Sequence, residues 1–330
     1  MERIAFIMGD KFLYWNSVFL TLGAATAVCF FLAFYLHKSG NAIGGFAAVP
    51  VSLVLSLVLA RFVHWYSRVD SYVDFTAAMT DYSSGGFALM GVFFGCALAA
   101  LLLRLVFFHR NLPEMLDCMS LAGCAGIVVG RLGSFFNSSD RGQIMESIQS
   151  LPWVYPVTNA VSGALEYRLA TFVLQAMVAL VLFAVLSLFY LVGTRNGKLR
   201  DGDTCLIFLL LYGASQVVLD STRYDSLFFR SNGFVSIVQV FSAVALGVVI
   251  VLFSVRMVKA RGFHFWQVPI WVVISALIGV AGFMEYYVQR HGNEAAFAYS
   301  VMSSCLGGVI LLTLLIRLLA VTAERKKGIL

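Results

Sequence analysis

The chain has 330 residues, of which 60% are hydrophobic and only 12% are charged, and its mean hydropathy is +0.88. This composition excludes an ordinary soluble globular enzyme and is typical of a protein that crosses a membrane several times. We attribute the net charge of +6 to membrane topology, and we predict no nucleic-acid partner. All six cysteines lie in apolar stretches without metal-ligand spacing, so we interpret them as packing residues.

Apolar windows of about 20 residues, the length that spans the hydrocarbon core as a helix, indicate an all-α polytopic membrane protein. Nine spans are predicted at residues 13–36, 43–66, 85–108, 115–136, 169–193, 204–220, 234–255, 267–286 and 297–320. The first residues, MERIAFIMGDKF, carry acids and precede no small-residue cleavage site, so we predict no removable signal peptide.

Basic residues between the spans predict the orientation of the chain. Two basic trios, one within 195–200 and one within 256–261, fall on the same side as the basic carboxyl terminus. By the positive-inside rule, the amino terminus faces outward and the carboxyl terminus faces the cytoplasm. The longest polar segment, residues 137–168, then lies on the outer side. Its Trp153 and Tyr155 favour an ordered loop at the membrane interface.

One arginine ends an apolar run in the stretch GIVVGRLGSFFN, residues 126–137. A guanidinium within a span is costly unless it meets a counter-charge, a phosphate or water. Arg131 lies between Gly130 and Gly133, which permit close backbone approach, so we favour a functional role near the outer leaflet. The alternative is an arginine that snorkels to lipid headgroups, as we predict for Arg104 and Arg317.

Polar residues form a stripe in LYGASQVVLDSTRYDS, residues 211–226. Tyr212, Gln216, Asp220 and Arg223 follow one another at helical spacings of four, four and three. They would place a phenol, an amide, a carboxylate and a guanidinium along one side of a helix. The alternative is a simple ion pair of Asp220 with Arg223 at the helix end.

A third polar cluster ends the second span in ARFVHWYSR, residues 60–68. Arg61 and His64 lie one turn apart, and His64 is the histidine that we consider for catalysis. An interfacial aromatic belt accounts for the neighbouring Trp65 and Tyr66 without any chemistry.

The run GRLGSFFNSSDRG resembles the signature of the bacterial prolipoprotein diacylglyceryl transferases, in which Gly-Arg-x-Gly-Asn-Phe-x-Asn leads to a glutamate and a glycine. The matching residues are Gly130, Arg131, Gly133, Phe135, Asn137 and Gly142. Ser134 stands in place of the family's first asparagine, and Ser139 in place of its glutamate.

Further landmarks of that family follow in the same order. They are Gly85 and Gly86, then Arg168, then Tyr212, Gly213, Asp220 and Arg223, and finally Ser236, Gln239 and Ser242. The resemblance covers about residues 10–256 and implies a seven-helix body in residues 1–256, with residues 137–168 as its outer loop. Residues 257–330 would add two transmembrane helices and a basic cytoplasmic tail.

The resemblance implies a transferase at the outer face of the bacterial cytoplasmic (inner) membrane. Such an enzyme moves a diacylglyceryl group from phosphatidylglycerol to the lipobox cysteine thiol of exported lipoprotein precursors, without a cofactor or metal. Its expected partners are these two substrates and membrane lipids. Arg131, as a clamp for the lipid phosphate, joins Tyr212 and His64 as catalytic candidates. The substrate-binding candidates are Asn137, Gly142, Ser134, Arg223, Asp220, Arg61, Arg168 and Gln239.

Three departures from the family pattern keep alternatives open. Met90-Gly91-Val92 replaces the family's His-Gly-Gly, Gln216 replaces its second arginine, and Tyr14-Trp15-Asn16 blurs its Trp-Tyr-Gly. Because methionine accepts no proton, either His64 serves as the base or the thiol loses its proton to water or phosphate. The alternative functions are a catalytically silent relative that binds anionic phospholipid or a lipidated partner, and a membrane transporter.

Overall fold

The computed structural model describes most of the chain and is mainly helical. The described residues are 4–9, 11–81, 85–106, 111–136, 141–145, 153–159, 162–197, 199–229, 232–291 and 294–327. Within these ranges, nine helices are long and apolar enough to cross a membrane. The predicted all-α class with nine spans is therefore confirmed.

The spanning helices follow the predicted windows closely. They are α1 (Trp15–Ser39), α2 (Ala42–Ser67), α4 (Leu89–Val106), α5 (Leu112–Leu132), α6 (Thr171–Arg195), α7 (Asp203–Ser221), α8 (Ile237–Arg261), α9 (Gln267–Arg290) and α10 (Ala295–Lys326). A short helix, α3 (Phe75–Thr80), lies between α2 and α4.

Two helix ends differ from the prediction for physical reasons. The third span was expected from residue 85, but α4 begins at Leu89 because Gly85 and Gly86 have positive φ angles of 70° and 89°. The last span was expected to end at residue 320, but α10 continues into its basic last turn at Lys326. Cations there oppose the partial negative charge of the helix carboxyl end, which a hydropathy window does not register.

Three antiparallel hairpins accompany the helices. They are β1 (Ile4–Met8) with β2 (Lys11–Tyr14), β3 (Val154–Thr158) with β4 (Leu165–Leu169), and β5 (Phe228–Phe229) with β6 (Asn232–Ser236). In the second hairpin, Val154 pairs with Leu169 and Thr158 pairs with Leu165. Within the predicted outer loop, residues 137–168, the described residues therefore include a hydrogen-bonded hairpin of β3 and β4.

The chain divides into two compact units. The first unit comprises Met1–Phe208 together with Thr222–Val238, and the second comprises Leu209–Ser221 together with Gln239–Leu330. Helices α1 to α6 belong to the first unit, and α9 and α10 belong to the second.

Glycines bring α2 and α4 into backbone contact. A Cβ atom built on Gly91 would lie 2.3 Å from the Leu59 carbonyl oxygen, and one on Gly95 would lie 2.4 Å from Ser56 Cα. The Ser56 hydroxyl also donates to the Val92 carbonyl at 3.2 Å. Small residues four apart are the usual means by which membrane helices approach this closely.

A buried carboxylate fixes the start of α7. Asp117 of α5 is fully buried and accepts hydrogen bonds from the backbone amides of Gly202 at 2.8 Å and Cys205 at 2.7 Å. Gly202 directly precedes α7 and Cys205 lies in its first turn, where N–H groups have no partner within the helix. Asp117 therefore caps α7 from a neighbouring helix.

We expect Gly95→Leu to lower the free energy of unfolding by at least about 1–3 kcal/mol, the cost of forcing a side chain into a packed contact. Thermal unfolding in detergent measures the effect. Gly123→Leu in α5 is the matched control, because a Cβ there meets no atom within 4 Å. Equal melting temperatures for the two variants would contradict the role that we give to the α2–α4 contact.

Candidate functional site

A close crossing of α1 and α5 positions Arg131. A Cβ on Gly23 of α1 would lie 2.8 Å from the Gly126 carbonyl oxygen and 3.0 Å from the Gly130 amide nitrogen. The two backbones therefore touch along one turn of α5, directly before Arg131. The arginine lies in the last turn of α5 and is half-buried.

The turn after Arg131 packs on the first turn of α1. A Cβ on Gly133 would lie 2.8 Å from Asn16 Oδ1, so the Asn16 side chain reaches the Gly-Arg-x-Gly run. Residues 133–136 form a 3-10 turn, and Phe136 stacks on Phe19 at a centroid distance of 5.8 Å. The sequence alone does not fix how Tyr14-Trp15-Asn16 aligns with the family's Trp-Tyr-Gly. The structure brings Asn16 to the run that carries Arg131.

Arg61 holds the segment between α2 and α4. Its guanidinium is fully buried and donates to the carbonyl oxygens of Ala78, Asp81, Gly85 and Gly86, the last at 3.0 Å. It also lies 5.0 Å from the centre of the Tyr72 ring. These contacts are all with the protein, and they organise the loop; binding of substrate by Arg61 stays a prediction.

His64 belongs to the same cluster. Its Nδ1 atom lies 2.8 Å from the Tyr72 hydroxyl, within hydrogen-bond distance. A Cβ on Gly86 would lie 2.8 Å from His64 Cε1 and 2.7 Å from the Tyr72 hydroxyl oxygen. The diglycine segment that leads into Met90 therefore packs against the His64 ring. Tyr72 carries no signal in the sequence, because it lies in a polar loop without any periodic pattern.

Gly142 is the centre of a small cap built from residues 141–145, β4 and residues 222–226. Its amide donates to the Leu169 carbonyl at 2.9 Å, and it forms an isolated β-bridge with Arg223. A Cβ on Gly142 would lie 2.5 Å from the Leu169 carbonyl oxygen and 2.7 Å from Thr171 Oγ1. The position accepts only glycine without movement of the backbone.

Two arginines stabilise this cap. Arg168 is buried, donates twice to Glu166 Oε2 at 2.7 and 2.9 Å, and donates to the Gly142 carbonyl at 3.3 Å. Arg223 forms an ion pair with Asp225 at 3.2 Å, a partner that sequence analysis did not name. Both arginines have partners in the protein, whereas their predicted contact with substrate stays a prediction.

The predicted stripe on α7 is buried in the second unit. Tyr212, Gln216 and Asp220 are 5%, 1% and 1% exposed, respectively. Gln239 of α8 donates to the Val217 carbonyl at 3.2 Å, and a Cβ on Gly213 would lie 3.2 Å from the Ser242 carbonyl oxygen. The two family-like motifs of α7 and α8 are thus in contact with each other.

Ser134 is buried in the 3-10 turn, at 4% exposure, while Asn137 lies outside the described residues. Within the described ranges, no group of three or more His, Cys, Asp or Glu side chains could hold a metal ion.

Comparisons with known proteins identify relatives. The sequence model of a family described as prolipoprotein diacylglyceryl transferase matches residues 3–256. A Streptococcus pneumoniae protein named phosphatidylglycerol–prolipoprotein diacylglyceryl transferase is 26% identical over 263 residues, which are 78% of this chain and 95% of that protein. A Streptococcus equi subsp. zooepidemicus protein of the same name is 22% identical over 272 residues, 81% of this chain and 99% of that protein.

We expect acid to loosen the β3–β4 hairpin through Glu166. The Asn159 amide and then the Arg168 guanidinium donate to this carboxylate and hold its pKa below the usual value. A carboxylate whose pKa is lower in the folded than in the unfolded protein stabilises the fold at pH values above its unfolded-state pKa, which is about 4.3 for glutamate. This stabilisation disappears as the pH falls through the folded-state pKa. Hydrogen exchange of residues 154–169 between pH 7 and pH 3 measures the effect.

Glu166→Gln should show faster exchange than wild type at pH 7 and a smaller change on acidification. Glu294→Gln, which removes a carboxylate in the second unit, is the control and should leave hairpin exchange unchanged. An equal pH response in wild type and Glu166→Gln would contradict the assignment.

Proposed function

The chain belongs to the prolipoprotein diacylglyceryl transferase family, and we propose that Arg131 clamps the lipid phosphate while a diacylglyceryl group passes from phosphatidylglycerol to a lipobox cysteine. The family makes the chain a multi-pass membrane transferase. The observation that carries the proposal is the position of Arg131, at the end of α5, inside the family's signature run and against α1. We place the reaction at the outer face of the bacterial cytoplasmic membrane, because the positive-inside rule predicts that the end of α5 with Arg131 faces outward.

The chemistry explains why an arginine is wanted. The thiolate sulfur forms a bond to the terminal glyceryl carbon of the diacylglyceryl group, and the bond from that carbon to the phosphate-ester oxygen breaks. Glycerol phosphate leaves with the bonding electron pair, and the thiol proton must go to a base. Negative charge grows on the phosphate oxygens, which a planar guanidinium can bind bidentately. This interaction is stronger where little water competes.

His64 is the base in our proposal. Met90 accepts no proton, and the segment that leads into Met90 packs against the His64 ring. The contact between Tyr72 and Nδ1 restrains the orientation of the imidazole and leaves Nε2 for the thiol proton when the Nδ1–H donates to Tyr72. In this arrangement, a histidine on α2 performs the task that the family assigns to a histidine at the start of α4.

The remaining candidates have supporting roles in the proposal. Asn137, Ser134 and the backbone of Gly142 would bind the headgroup or thiol by hydrogen bonds. On the strength of the family match, Tyr212 of α7 is the phenol that binds substrate. Asp220 of α7 and Gln239 of α8 are the polar groups that accompany it. Arg61, Arg168 and Arg223 position loops, which is how their contacts with protein groups would assist substrate binding.

We expect Arg131→Ala to lower the rate of transfer by about 100-fold or more, the effect of removing one group that stabilises developing charge. The assay uses proteoliposomes, phosphatidylglycerol with a labelled acyl chain, and a lipobox peptide. Arg104→Ala is the control, because Arg104 is an exposed arginine in the last turn of α4. Equal rates for the two variants would refute the clamp. A folded wild-type protein that binds phosphatidylglycerol without transfer would instead indicate a silent relative.

We expect His64→Ala to lower transfer by about 100-fold or more, as loss of a general base does. Adding Met90→His to that variant should restore part of the rate, since a histidine then stands where the family has one. Tyr72→Phe, which removes only the hydroxyl, should have a smaller effect. Wild-type rates in His64→Ala would show that the proton leaves through water or phosphate.

A further inference from the structure

Arg141 brings to the cap a positive charge with which the carboxylates of the cap form no ion pair. Its side chain is half-buried, and its Nε atom is buried without a hydrogen-bond partner among the described residues. The two other arginines of the cap are paired, Arg168 with Glu166 at 2.7 Å and Arg223 with Asp225 at 3.2 Å. A buried donor of a charged group is costly unless it is hydrogen-bonded, so Arg141 is suited to bind an anion from outside the cap.

Glu166 does not supply the partner that Arg141 needs. Its Oε1 atom accepts a hydrogen bond from the Asn159 amide, and its Oε2 atom accepts two from Arg168. The Asn159 amide and then Arg168 lower the pKa of Glu166, and the charge of Arg141 lowers it as well. Arg141 is therefore near enough for Glu166 to sense its charge, but both oxygens of Glu166 are already occupied. A further anion can bind Arg141 without breaking this ion pair.

The backbone holds Arg141 in a fixed place. Its carbonyl accepts a hydrogen bond from the Tyr224 amide at 2.9 Å, and the amide of the next residue, Gly142, donates to the Leu169 carbonyl at 2.9 Å. Any side chain at Gly142 would collide with the same carbonyl, so the two backbones are in contact. The guanidinium thus extends from a restrained backbone, which lowers the entropy that a ligand must overcome on binding.

Arg141 lies next to the end of α6 that the signature run contacts. A Cβ on Gly142 would lie 2.7 Å from Thr171 Oγ1, and the Phe135 ring packs edge-on against the Phe172 ring at a centroid distance of 4.7 Å. Thr171 and Phe172 are the first two residues of α6. The cap and the turn that follows α5 therefore meet at one helix end.

A phosphate is the anion that these surroundings favour. The planar guanidinium of arginine presents parallel N–H donors that match two oxygens of a phosphate. The cap directly precedes α6, which is long and apolar enough to cross the membrane. Lipid headgroups lie at the level where such spans end, so a lipid phosphate is at hand for Arg141.

We propose that Arg141 binds the phosphate of the donor lipid phosphatidylglycerol, beside the signature run. The proposal rests on the proposed function for the identity of the lipid. It adds a substrate-binding residue that is not among those matched to the family signature. Glycerol phosphate, the leaving group of the proposed reaction, carries the same phosphate ester and should compete for Arg141.

The experiment measures binding without an acceptor peptide, so that it does not depend on transfer. The full chain is placed in phosphatidylcholine nanodiscs and titrated with phosphatidylglycerol that carries a photoreactive acyl chain. Arg141→Gln should weaken binding by about tenfold, the effect of losing a charge-assisted hydrogen bond. Arg141→Lys, which keeps the charge, should weaken it less. Free glycerol phosphate should compete in wild type and about tenfold less well in Arg141→Gln.

Two controls separate the proposed contact from general effects. Diacylglycerol with the same photoreactive chain lacks the phosphate, so wild type and Arg141→Gln should bind it equally. Arg290→Gln removes an exposed arginine from the last turn of α9, in the second unit, and should leave binding of phosphatidylglycerol unchanged. The melting temperature of Arg141→Gln should not fall, because its Nε atom bonds to no described residue.

Three outcomes would overturn the proposal. Wild-type affinity for phosphatidylglycerol in Arg141→Gln would refute the contact. An equal loss of diacylglycerol binding, or a lower melting temperature, would assign Arg141 to the fold. An equal loss in Arg290→Gln would indicate a general attraction to headgroups. Failure of the proposed function looks different: a wild-type protein that binds phosphatidylglycerol through Arg141 but modifies no peptide would contradict transfer and support the phosphate contact.

Discussion

Backbone contact between helices is the constraint on which the structure depends. Lipid chains are as apolar as the helices, so burial of apolar surface contributes little to helix association in the membrane. Close packing must stabilise the association instead. Glycine provides that packing where Gly23 meets Gly126 and Gly130, and where Gly91 and Gly95 meet α2. The first crossing ends at Arg131. The backbone that carries Arg131 is thereby placed by contacts between glycines, which involve no charge.

Arginines in this protein have different environments. Arg61 is fully buried, and carbonyl oxygens of its own loop surround it, as a buried cation requires. That arrangement fixes Gly86 against His64, where a side chain would not fit. Arg168 acts similarly in the cap by joining Glu166 to the Gly142 carbonyl. Arg131 is half-buried in the last turn of α5, and it is the arginine of the signature run.

The spans were predictable for two reasons. The thickness of the bilayer sets the length of an apolar span, and backbone N–H and C=O groups in the hydrocarbon must be hydrogen-bonded within the segment, as they are in a helix. Helix ends were less predictable, since the positive φ angles before Leu89 and the charged last turn of α10 follow from local geometry rather than mean hydropathy. Contacts between distant residues had no periodic signal. Asn16 with Gly133 and Tyr72 with His64 depend on how helices cross and loops return. The Glu166–Arg168 pair was accessible in principle, because residues two apart in a strand share a face.

Replacement of the family histidine by Met90 is compatible with retained transfer for a geometric reason. A general base is defined by the distance between its nitrogen and the proton, and not by the helix that carries it. The loop held by Arg61 packs Gly86, four residues before Met90, on the His64 ring. A base can move from α4 to α2 when the backbone that aligns both helices is unchanged, and the glycines at 91 and 95 hold that backbone.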